Sequence, residues 1–75
     1  SAFAREVALE VLRYRTEHDL TQVQFGELIG LSQPAVARLE DGEVNPTLKT
    51  LARISASTGL DFHLDVVHGT IAMAA

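Results

Sequence analysis

Residues 20–42, LTQVQFGELIGLSQPAVARLEDG, constrain this chain more than any other stretch. Thr21 followed three residues later by Gln24 is a capping box, in which each side chain satisfies a backbone donor at the start of a helix. Phe25, Leu28 and Ile29 supply the buried side of that short helix. Gly26, in its middle, costs about 1 kcal/mol against alanine, so close approach of another helix is its expected reason. Gly30 can take the left-handed conformation that stops a helix, and Leu31 then plugs the angle to the next one. Ser32 is a good N-cap, and Pro34 falls in the first turn, where a missing N–H costs nothing. In this second helix Val36 and Leu39 face inward, which leaves Gln33, Ala37 and Arg38 outward with Pro34 at the rim.

The flanking segments read as support for this pair. From residue 2 to residue 17, Phe3, Val7, Val11 and Tyr14 recur at helical spacing, and Ala4, Ala8, Leu9 and Leu12 widen the stripe. Glu6, Glu10, Arg13 and Glu17 form a solvated face on the other side. Residues 41–46 are rich in turn formers, and Thr47 caps a further helix to about Ser57 that buries Leu48, Leu51, Ala52 and Ile54, with Gly59 closing it. The period then changes. Leu60, Phe62, Leu64 and Val66 alternate with Asp61, His63, Asp65 and Val67, the pattern of a half-buried strand. A lone strand finds no partner in its own sequence and is not stable alone. The expected solution is antiparallel pairing with the same strand of a second copy, with Leu60, Phe62, Leu64 and Val66 at the interface. The alternative is a tail that packs one apolar face on its own helices. The expected architecture is thus mostly α: a four-helix domain over 1–59, one dimerising strand over 60–68 and a flexible tail over 69–75.

With 75 residues the chain has room for one domain and one small core, a size at which a partner subunit often adds stability. It contains no cysteine, so disulfides and thiolate metal sites are excluded and the cytoplasm is the default location. No apolar run approaches the ~20 residues of a membrane span. A chain that starts at Ser1 and not Met reads as a trimmed or processed piece with flanking sequence. The net charge of -4 opposes nucleic-acid binding, which draws its affinity from neutralised phosphates. Many of the acids, however, lie on the flanks, at Glu6, Glu10, Glu17, Asp19, Asp61 and Asp65, and charges beyond ~8 Å are largely screened in physiological salt.

Two short helices with a tight turn between them, the second presenting polar residues outward, make a helix-turn-helix, a module that seats its second helix in the DNA major groove. Leu20, Thr21, Gln22, Phe25, Gly26, Gly30, Leu31, Ser32, Gln33, Pro34, Val36, Arg38, Leu39, Glu40 and Gly42, followed by Asn45, Pro46, Thr47, Leu48, Thr50 and Leu51, resemble the Cro and phage-repressor family, also called the xenobiotic-response-element family. The resemblance covers roughly residues 11–60 and implies a lambda-repressor-like fold. That family's usual fifth helix is absent, and the strand in its place resembles antitoxin-like regulators that dimerise through a C-terminal strand.

The resemblance implies that Arg15, at the end of the first helix, is held by Glu40 at the end of the recognition helix. It also implies that Gln22 contacts a phosphate, where helix N-terminal amides favour an anion. Asn45, Thr47, Lys49 and Thr50 are placed to grip phosphates on the other flank, and Ser32 stands at the start of the reading helix. Gln33 can donate to and accept from adenine, and Arg38 can read guanine or hold a phosphate. Pro34 and Ala37 offer apolar contact only. The expected function is a transcriptional regulator, a repressor that binds an operator in double-stranded DNA as a homodimer. The alternative is an antitoxin or other interaction module that binds a partner protein such as a toxin. An enzyme is not expected, because His18, His63 and His68 fall on separate elements; no metal or cofactor is called for either.

Overall fold

In a computed structural model that describes residues 2–74, four helices are followed by a small antiparallel sheet. Helix α1 spans Ala2–Glu17, α2 Gln22–Ile29, α3 Gln33–Asp41 and α4 Leu48–Thr58; strand β1 is Leu64–Val67 and β2 is Thr70–Met73. The helix starts follow their caps. Thr21 and Gln24 form the reciprocal capping box, Ser32 Oγ accepts from the Ala35 N–H at 3.3 Å, and Thr47 Oγ1 accepts from the Thr50 N–H at 3.0 Å. Gly30 ends α2 at φ 74°, a left-handed conformation that costs a glycine no clash.

Each helix delivers one apolar stripe to a common centre. Phe3, Val7 and Val11 of α1 meet Phe25 and Ile29 of α2, Val36 and Leu39 of α3, and Leu51 and Ile54 of α4. Full burial of such side chains stabilises by about 1.5–3 kcal/mol each. Helix α3 packs between α1 and α2, and α4 leans on α2. The core is narrower than the sequence pattern suggests. Leu9, Leu12 and Leu28, expected to widen it, are exposed, as are Leu48 and Ala52 of α4. Four short helices do not offer enough partner surface for every apolar position. Leu9 and Leu12 lie on the flank of α1 beside Gly42, and Leu48 and Ala52 border a shallow groove against residues 61–64.

The C-terminal segment departs from expectation in a way that changes the topology. The strand begins at Leu64 and not at Leu60, and its partner lies in the same chain: the expected frayed tail supplies β2. Leu64 pairs with Met73, Asp65 with Ala72, Val66 with Ile71 and Val67 with Thr70. The Ala74 N–H donates to the His63 carbonyl at 2.6 Å and extends the ladder; Ala75 lies outside the described residues. The link is the two-residue turn His68-Gly69, with φ of 51° and 75°. Positive φ at both central residues gives the turn whose twist matches that of the flanking strands. Leu64, Ile71 and Met73 pack onto the helical core and β2 lies against α1.

Gly26 is explained by contact. A Cβ there would overlap the Leu31 carbonyl oxygen of the turn and stand 3.3 Å from Val36 Cγ2 of α3. Helix propensity alone favours Gly26→Ala by about 1 kcal/mol, whereas overpacking costs about 1–3 kcal/mol. We expect this variant to melt below the wild type in a circular-dichroism scan. A raised melting temperature would show that the α2–α3 turn is not packed this closely.

Candidate nucleic-acid interface

The outward face is assembled from the N-terminal turns of α2, α3 and α4, all placed by their caps. Ser32, Gln33, Pro34 and Arg38 are exposed and Ala37 is half-buried at the edge of the face. Asn45, Thr47 and Lys49 are exposed on the neighbouring segment, with Thr50 half-buried. Between α3 and residues 43–47 runs an open groove of about 310 Å³, lined in part by Arg38, Val44, Asn45 and Thr50. The Thr47 hydroxyl is spent locally, accepting from the Thr50 N–H and donating to Thr50 Oγ1 at 3.0 Å, so the Thr50 proton is the one left to meet a ligand. The side chains of Arg38 and Lys49 have no ion-pair partner among the described residues.

Beneath this face the Arg15 guanidinium reaches three elements. Its Nε donates to Glu40 Oε2 at 2.7 Å, its Nη2 to Glu40 Oε1 at 2.9 Å and its Nη1 to the Leu20 carbonyl at 3.1 Å. The planar fork and the carboxylate match bidentately, which fixes an angle as well as a distance. Burial, the largest single influence on the Glu40 carboxyl, pushes its pKa up, but hydrogen bonds from Arg15 and Gln22 and the Arg15 charge outweigh it and hold the pKa below the ordinary value.

The structure also brings together residues that the sequence placed on separate tasks. Gln22, at the start of α2, donates from Nε2 to Glu40 Oε1 at 3.0 Å, and Gln33 donates from Nε2 to Gln22 Oε1 at 2.6 Å. A chain of polar contacts therefore runs from Arg15 through Glu40 and Gln22 to Gln33. Helical spacing could not reveal it, because the links cross from α1 to α3, to α2 and back to α3. Arg53, which the sequence reading did not single out, sits beside Gly30 at the C-terminal end of α2, where a cation is favoured by the helix dipole.

Other expected residues lie elsewhere. Leu60, Phe62 and Leu64 pack against the chain's own core, while Val66 is 65% exposed. His18 stacks on Tyr14 at 4.0 Å, His63 precedes β1 and His68 occupies the hairpin turn. Among the described residues there is no group of three metal-ligating side chains, and no helix is long and apolar enough to cross a membrane.

A helix-turn-helix family model matches residues 11–64. The chain belongs to the Cro- and repressor-type helix-turn-helix family. Helices α2 and α3 are its helix-turn-helix, and the match ends at Leu64, where β1 begins. The chain is also similar to an "Uncharacterized HTH-type transcriptional regulator" of Haemophilus influenzae, at 38% identity over 50 residues. That similarity covers 67% of this chain and 51% of the relative, so the chain matches about half the relative's length.

Two consequences follow for stability. Arg15→Ala leaves a half-buried carboxylate unpaired and should cost about 3–5 kcal/mol, while Arg13→Ala, which loses only an exposed 3.5 Å pair with Glu10, should stay within about 0.5 kcal/mol. Equal melting temperatures for the two variants would contradict the buried pair. Because the pKa of folded Glu40 is lowered, the stability it gives is fully present above the unfolded carboxyl range, about 4.3, and is lost as pH falls through the folded value. The gap in melting temperature between wild type and Glu40→Gln should therefore be widest at neutral pH and close in acid.

Proposed function

We propose that this chain is a sequence-specific DNA-binding transcriptional regulator, a repressor whose dimer sets two copies of α3 into successive major grooves of an operator. The observation that carries this reading is the outward start of α3, where Gln33 and Arg38 stand clear of the core and are flanked by the capped N-termini of α2 and α4. In this reading Gln33 addresses adenine, and Arg38 guanine or a phosphate. Pro34 and Ala37 give apolar contact, and Ser32 lies at the entry. Gln22 on one flank, with Asn45, Thr47, Lys49 and Thr50 on the other, fixes the register on the phosphates. The name of the H. influenzae relative supports a regulatory role.

So few polar readers on one copy, in a chain of net charge -4, favour two copies acting together. The dimer seam proposed here is the hairpin, whose β1 edge is open to a second strand. Since Leu60, Phe62 and Leu64 serve the chain's own core, Val66 and Val67, at 65% and 55% exposure, are the apolar contacts left for that seam. The exposed Leu9 and Leu12 beside Gly42 favour a second, compatible role in which the same dimer also holds a partner protein, as an antitoxin holds a toxin.

In a selection from randomised duplexes, Gln33→Ala should relax base preference at about 1–3 kcal/mol. An unchanged selected sequence would remove the base-reading role. Binding to a fragment of the upstream region, measured at two salt concentrations, should weaken with added salt; no complex at low salt would favour the partner-protein role. Light scattering at micromolar concentration should give twice the chain's mass for the wild type and a single chain for Val66→Lys, and a wild-type monomer would contradict the hairpin seam.

A further inference from the structure

The open edge of β1 has a fixed hydrogen-bond phase. The two-residue turn at His68-Gly69 makes Val67 and Thr70 a hydrogen-bonded pair, and the bond from the Ala74 N–H to the His63 carbonyl continues the alternation at the other end. Asp65 therefore spends its backbone groups on β2, while Leu64 and Val66 turn theirs to the open edge. Side chains alternate in the same step. Met73 and Ile71, the residues opposite Leu64 and Val66, pack on the core with Leu64, so Val66 looks to the core side too, yet it stands exposed. Leu64 also lines the shallow groove that α4 forms with residues 61–64, and there Leu48 and Ala52 are exposed as well.

A two-fold axis relates like faces, so residues opposed across a β1–β1 seam share a face and the axis passes through one of them. With the axis at Val66, that residue meets its own copy, and Leu64 is left opposite His68, whose φ of 51° takes it out of the strand. With the axis at Asp65, Leu64 and Val66 of each copy exchange N–H···O bonds with Val66 and Leu64 of the other. The free backbone groups of both residues are then used.

We infer that two copies join β1 to β1 about an axis through Asp65, which seats Val66 of each in the α4 groove of the other. This rests on the reading in which the hairpin is the dimer seam. Val66, opposite Leu64 of the second copy, falls at the mouth of the groove lined by Leu48, Ala52 and Phe62, and gives the exposed apolar side chains of α4 a partner. The same axis sets the two Asp65 carboxylates directly opposite each other, at a pairing whose Cα atoms stand about 4.5 Å apart. Like charges so placed weaken a sheet. Apolar contact and backbone pairing thus hold the seam against a repulsion that salt screens, the reverse of the salt dependence of DNA binding.

The chain has no cysteine, so single cysteine substitutions test the axis directly. Under mild oxidation Asp65→Cys should form a disulfide between copies faster than Val66→Cys, since Cα atoms about 4.4–6.8 Å apart suit the bond. In sedimentation at several protein concentrations, Asp65→Asn should tighten the dimer about two- to fivefold, and the wild-type dimer should tighten with added salt. Ala52→Glu, an exposed change on another element, should give a single chain at micromolar concentration, with circular dichroism showing that its helices are intact. A faster cross-link at Val66→Cys, with Asp65→Asn and Ala52→Glu dimerising as the wild type does, would move the axis to Val66 and overturn the inference while the hairpin seam stands. Faster cross-linking at Asp65→Cys with Ala52→Glu still dimeric would overturn the seating of Val66. A wild-type monomer, or a dimer that neither cysteine cross-links, would defeat the hairpin seam itself.

Discussion

The Arg15–Glu40 pair is the contact on which the rest of the structure turns. It joins the last turn of α1, the Leu20 carbonyl before α2 and the last turn of α3. Hydrophobic burial holds these helices together without prescribing their direction. A bidentate guanidinium–carboxylate pair is directional, and at 2.7 and 2.9 Å it leaves little play. With that angle set, the Gly30 turn, the capped start of α3 and the close approach at Gly26 hold the reading helix against α2.

Local chemistry was the part of the fold that the sequence disclosed. Thr21 with Gln24, Ser32 and Thr47 each act on backbone donors within three residues, so the helix starts could be placed from the chain alone. The Arg15–Glu40 contact came from family resemblance and not from spacing, since its partners are 25 residues apart. Exposure at Leu9, Leu12, Leu28 and Leu48 was not legible, because it depends on how much facing surface the other helices supply. The link from Gln22 to Gln33 was hidden for a similar reason: it exists only once α2 and α3 cross at the angle they take.

The hairpin shows how a pattern can be read correctly and continued too far. Residues 60–67 alternate in period two, yet only Leu64–Val67 pairs as a strand. Leu60 and Phe62 alternate because they pack on the core from an extended connection. The turn carries a weak sequence signal, because its first central residue is His68 and not the asparagine or aspartate that usually accompanies glycine there. Pairing within the chain removes the isolated strand as a reason to dimerise. What favours association now is the open β1 edge together with the exposed Val66 and Val67.

The most direct test of the whole account is a titration of the isotopically labelled chain with a duplex recovered by selection, followed by amide resonances that include the side-chain NH₂ groups of Gln22 and Gln33. Shifts should concentrate at the starts of α2, α3 and α4, with both glutamine side chains among the most affected. Shifts confined to the hairpin or to the Leu9 and Leu12 flank of α1 would contradict it, since they would place the binding surface away from the reading helix.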